Sequence, residues 1–187
     1  MRHIVRSFIV LASLVSASTS QAGNWGLGTN LGFRVLQFGD QGGSVTTFSW
    51  PGDALFAHEP GLRLSFAGAS RTLEGYLDTG MMFASQTGFS VHTLLVTGNG
   101  QLNFTPASSS SPYLTMGGGM VHEGTDTESS LLPSLGAGLG YRFRVAGGHG
   151  TIRSELRYDY FGGDENHGVS TVNAYGLKLG FDLWMKE

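Results

Sequence analysis

At 187 residues the chain has the size of one domain, and its 30 glycines, 12 phenylalanines and 13% charged residues suit many short strands better than a helical bundle. A net charge of -3 gives no basic footprint for nucleic acid. The absence of cysteine excludes disulfide frameworks, thiolate metal sites and a cysteine nucleophile.

Residues 1–22 read as a secretory signal. Arg2 and Arg6 supply the positive start, Phe8 to Val15 the apolar core, and Ser20-Gln21-Ala22 a small-x-small cleavage site, so the mature domain is expected to span residues 23–187. The apolar run is about half of the roughly 20 residues an anchor helix needs. No later stretch is long and apolar enough to cross as a helix, so any membrane crossing must use strands.

Period-two alternation then recurs along the chain. It places Trp25, Leu27, Thr29, Leu31, Phe33 and Val35 opposite a face of glycine, Asn30 and Arg34, and it places Leu62, Leu64 and Phe66 opposite Arg63 and Ser65. After the tight Gly68-Ala69-Ser70, Leu73, Leu77, Met81 and Phe83 stand opposite Glu74, Tyr76, Asp78 and Gly80. A fourth strand sets Phe89, Val91, Thr93 and Leu95 against Ser90 and His92; Leu102 and Phe104 then follow in the other parity, which predicts a bulge at Gly98-Asn99-Gly100. Beyond a polar connection between Pro106 and Pro112, Leu114, Met116, Gly118 and Met120 share a face. The sixth strand opposes Leu135, Ala137, Leu139, Tyr141 and Phe143 to small residues, Arg142 and Arg144. The seventh opposes Ile152, Leu156, Tyr158 and Tyr160 to Arg153, Glu155, Arg157 and Asp159; the eighth opposes Tyr175, Leu177, Leu179, Phe181 and Leu183 to Lys178 and Asp182. The expected fold is therefore all-β, an eight-stranded antiparallel up-and-down transmembrane β-barrel. Ser44 to Trp50 reads as a strand-like extension of the first loop.

Every ionisable residue inside these strands lies opposite the large apolar row. An Arg or Lys at the lipid midplane of a barrel costs roughly 2–4 kcal/mol, so the charged faces are expected to point inward. The expected lumen network comprises Arg34, Arg63, Glu74, Asp78, Arg142 and Arg144 from the first six strands, then Arg153, Glu155, Arg157, Asp159, Lys178 and Asp182 from the last two. Charges enclosed in this way must be paired and fully hydrogen-bonded. Aromatic residues near strand ends, Trp25, Tyr113, Tyr141, Tyr158, Tyr160, Tyr175, Phe181 and Trp184, are expected in interfacial girdles.

Three segments resemble the outer-membrane β-barrel domain family that includes the small OmpA- and OmpX-type barrels. They are Pro112-Tyr113-Leu114-Thr115-Met116-Gly117-Gly118-Gly119-Met120, Leu135 to Phe143, and Arg153 to Tyr160. The closing row Tyr175, Leu177, Leu179, Phe181 and Leu183 is similar to the family's insertion signal, departing from it where Leu183 replaces a terminal aromatic. The resemblance implies export to the Gram-negative outer membrane. The implied partners are outer-membrane lipids, lipopolysaccharide and the barrel-insertion machinery, with an extracellular partner met through the loops.

No catalytic residue, metal or cofactor is expected. For a lipid A-modifying enzyme the chain offers only His92, read as a lumen residue beside Thr93, without a His-x-Ser arrangement. His122 with Glu123, Asp126 and Glu128, and Asp164 with Glu165 and His167, are acidic histidine clusters that read as solvated loop residues rather than divalent-cation sites. A soluble lipocalin-like carrier is the alternative barrel, with Gly23-Asn24-Trp25 imitating its opening. The expected role is structural or surface interaction, with narrow solute passage as a further possibility.

Overall fold

The computed structural model describes residues 24–39, 42–49, 61–86, 89–125, 129–164 and 169–185. The expected signal segment, Trp50 and Phe56 of the first loop, and Asp126, Glu128, Glu165 and His167 lie outside these residues.

Alternating sequence becomes continuous strand: β1 (Asn24–Phe38), β2 (Ser44–Ser49), β3 (Leu62–Ala67), β4 (Leu73–Gln86), β5 (Phe89–Asn103), β6 (Ser110–Thr125), β7 (Ser129–Val145), β8 (Gly150–Phe161) and β9 (Val172–Met185). All pairings are antiparallel, and from β3 onward each strand pairs with the next. The first strand meets the last from Trp25↔Met185 to Phe38↔Val172, which closes the cylinder. β2 and β3 lie end to end along the same edge of β1, on Gly32–Gln37 and Asn24–Thr29 respectively. They share one position in the wall, so nine segments make an eight-stranded barrel. Closure removes the free edges that hydrocarbon does not tolerate.

Connections at the end holding both termini are short: Gly68 to Thr72, Phe104 to Ser109, and a 3-10 turn at Ala146–Gly148. Gly147 and Gly148 take φ of 66° and 94° there, a region open to glycine. At the opposite end β6 runs to Thr125 and β7 starts at Ser129, and β2 forms within the strand-like extension expected over Ser44 to Trp50.

One expectation about β5 fails. The strand has no bulge at Gly98 to Gly100; it pairs residue for residue with β4 from Leu73↔Leu102 to Gln86↔Phe89. Leu94, Val96 and Leu102 therefore face outward, whereas Leu95, Thr97, Asn99, Gln101 and Asn103 are buried inside. The apparent parity change arises because the lumen itself turns apolar near the end opposite the termini. Leu36, Leu95, Val121, Leu132, Phe161, Val172 and Ala174 form a hydrophobic layer across the barrel there. Alternation cannot tell such an inner apolar residue from one that faces lipid.

Candidate functional site

The side chains sort by face. Leu139 is 59% exposed and Leu135 64%, while Arg142, on the same strand in the opposite parity, is 0% exposed. The rows Leu27, Phe33 and Val35 on β1 and Tyr175, Leu177, Leu179, Phe181 and Leu183 on β9 are likewise exposed. Arg34, Arg63, Glu74, Asp78, Arg142, Arg153, Glu155, Arg157, Asp159, Lys178 and Asp182 are buried. A charge-lined inside and an aliphatic outside are stable together only where the outer medium is itself apolar.

The buried charges form clusters, each built around a carboxylate. Asp78 accepts a two-pronged contact from Arg63, with Nε at 2.8 Å on one oxygen and Nη2 at 3.1 Å on the other, and Lys178 Nζ reaches it at 3.0 Å. The Arg63 guanidinium lies 3.6 Å from the Tyr76 ring centroid, a cation–π contact that packs the charge within the lumen. On β8, positions 155, 157 and 159 share a face, and Arg157 binds both neighbouring carboxylates: Nε donates to Asp159 at 2.9 Å and Nη1 to Glu155 at 3.1 Å. Arg34 adds a second ion pair to Asp159 at 2.8 Å, and Tyr113 and Thr115 donate their hydroxyls to Glu155 at 3.1 and 3.0 Å. Glu74 accepts from Arg142 at 2.7 Å and from Gln101 at 3.3 Å. Asp182 pairs with Arg153 at 2.7 Å and accepts from Ser65 at 3.3 Å.

Arg144 is the exception among the twelve residues. It lies half-buried at the end holding the termini, where its guanidinium and that of Arg142 both donate to the Pro106 carbonyl. Sequence reading placed Asn30 on the face of Arg34 but missed the other uncharged members, Asn99, Gln101, Asn103, Tyr113 and Thr115, and also Arg71, whose guanidinium stacks over the Trp184 ring at 4.5 Å. Their inward parity was the available signal. Tyr113 and Trp184 correspondingly do not join a girdle: both are buried, and Trp184 Nε1 donates to Thr151 at 2.9 Å. A buried aromatic with a satisfied polar tip fills a lumen as readily as it anchors at an interface.

His92 is also corrected. It shares parity with the exposed Leu94 and Val96, so it faces outward, beside His122 on β6. Asp164 closes the last loop through an isolated bridge to Val169 and accepts from Ser130 Oγ at 3.4 Å. Among the described residues no group of three or more His, Asp or Glu could hold a metal.

Between the charged and apolar layers a cavity lined by Arg34, Thr97, Arg157, Asp159, Phe161 and Lys178 has about 10 Å³, room for roughly one water.

No family model matches the chain, and no curated protein matches it in sequence. Solved structures do match. Neisserial surface protein A is similar over 85% of this chain and 96% of that one, at 17% identity and a TM-score of 0.57. Ail, the attachment invasion locus protein of Yersinia pestis, is similar over 88% of this chain and all of its own length, at 14% identity and a TM-score of 0.50. At these identities the likeness is one of fold. That fold, the small eight-stranded barrel of Gram-negative outer membranes, agrees with the aliphatic exterior described above.

Proposed function

We propose that this barrel is a non-enzymatic envelope protein that acts as a structural element and through the rim opposite its termini, and that its lumen is not a solute pathway. The observation that carries the reading is the filled interior. Ion-paired charges occupy the lumen toward the termini, an apolar layer crosses it above them, and the cavity between is the size of a water. Eight strands enclose a space that side chains can fill, so closure is a property of the sequence and not of a separate plug. A lipocalin-like carrier would need an apolar cavity where these charges lie.

Proteoliposome swelling tests the reading. Vesicles carrying the refolded chain are expected to swell in small sugars and amino acids at the rate of empty vesicles. Swelling that rises with protein content would overturn it. The non-enzymatic part has its own test, mass analysis of lipid A with and without expression; an acyl-chain change abolished by His92→Ala would overturn that part. Export and insertion complete the proposal, with Tyr175, Leu177, Leu179, Phe181 and Leu183 as the row offered to the insertion machinery. A Phe181→Ser variant is expected to lower the heat-modifiable, assembled fraction while leaving precursor processing unchanged.

A further inference from the structure

On the outside of the wall, β5 and β6 bring two imidazoles together. His92 and His122 are diagonal across the strand pair, their register partners being Gly124 and Leu94. Their ring centroids are 5.3 Å apart with planes inclined by 25°. The chain makes room for this arrangement: a Cβ on Gly124 would stand 2.5 Å from His92 Nε2, so a side chain there would drive the ring away. The depth is equally specific. Outward positions from Pro112 to Met120 on β6 complete the roughly 9–11 residues with which a tilted strand crosses hydrocarbon. His122 is the next outward position, at the polar boundary on the side away from the termini.

We propose that His92 and His122 are two protein ligands of a divalent transition-metal ion of the zinc, nickel or copper kind, held on the outer surface of the barrel. Imidazole nitrogens suit these ions, whereas calcium and magnesium take oxygen ligands. With metal–nitrogen bonds of about 2.0–2.1 Å, two imidazoles on one tetrahedral ion have centroids about 5 Å apart, close to the separation already present. Glu123 shares the inward parity of the buried Val121 and is paired opposite Thr93, so it is turned away from the site. The remaining coordination positions are open to water or to a phosphate oxygen of the surrounding lipid. The site needs only the barrel and its sidedness, and its failure would leave the closed-lumen reading intact, because swelling measures that separately.

The test uses the barrel refolded without a polyhistidine tag in detergent free of lipopolysaccharide, titrated with Co²⁺ by visible absorption and with Zn²⁺ by calorimetry. One ion per chain is expected, undisplaced by excess Mg²⁺. His92→Ala and His122→Ala should each weaken binding about tenfold or more, close to 1.4 kcal/mol, while His149→Ala, in a turn at the other end, should not. Heat-modifiable mobility identifies any variant that fails to fold, in which case His92→Gln and His122→Gln take its place. Absence of stoichiometric binding, or binding unchanged when both histidines are replaced, would overturn the proposal.

Discussion

Asp78, like Asp159, is a carboxylate on which two cations converge. It is 0% exposed and holds Arg63 and Lys178 together, so Asp78→Ala would take this carboxylate away from two enclosed cations. Breaking a buried pair in this way costs about 3–5 kcal/mol, and the variant is expected to unfold at markedly lower urea in detergent micelles. Asp78→Asn keeps an oxygen acceptor and should lose less. On the opposite face Leu139→Arg would set a guanidinium among lipid chains, at about 2–4 kcal/mol near the midplane. A water-facing Leu139 would show almost no change in the same unfolding measurement, so this substitution tests the sidedness directly. The charged residues were legible in the sequence because no other arrangement lets so many ionised groups lie in strands beside lipid. Their partners were not, because pairing depends on register between strands far apart in the chain, as with Arg142 and Glu74 or Arg153 and Asp182.

At the scale of the element, the long strands were readable and their parity was mostly so. β7 and β9 keep their alternation through their middle stretches, Leu135 to Phe143 and Tyr175 to Leu183, since there one face meets lipid and the other is small or charged. β5 misled because its inward face changes from Leu95 to Thr97, Asn99 and Gln101 as it passes from the apolar layer into the charged one. The glycines of β7 have a packing role that alternation alone does not reveal. A Cβ on Gly138 would come within 2.5–2.9 Å of the Glu155 side chain, which Arg157, Tyr113 and Thr115 hold in place. Gly138→Ala is therefore expected to destabilise the barrel by about 1–3 kcal/mol, the usual penalty for overfilling a packed interior. Gly147→Ala offers the contrast: nothing lies near that Cβ, and its penalty should come from backbone conformation alone.

For the whole molecule, the closed cylinder with its ionised interior followed from two periodic signals, alternation and the inward sorting of charge. The apolar layer beyond the charged one did not, because Leu95 and Val121 look like lipid-facing residues until the strands are placed around a common axis. The wall is also uneven. β3 has six residues, whereas the other seven full barrel strands have 12 to 17, and it is joined to β1 and β4 only from Ala67 to Leu62. Amide exchange should register this as a gradient, with protons of β3 replaced by deuterium well before those of β7, since a short ladder opens at a lower free energy than a long one. A cylinder with one stave split into two brief lengths has a built-in line of parting: pulled, heated or caught half-inserted, it should come open there first, leaving the longest ladder, between β6 and β7, as the final seam to give way.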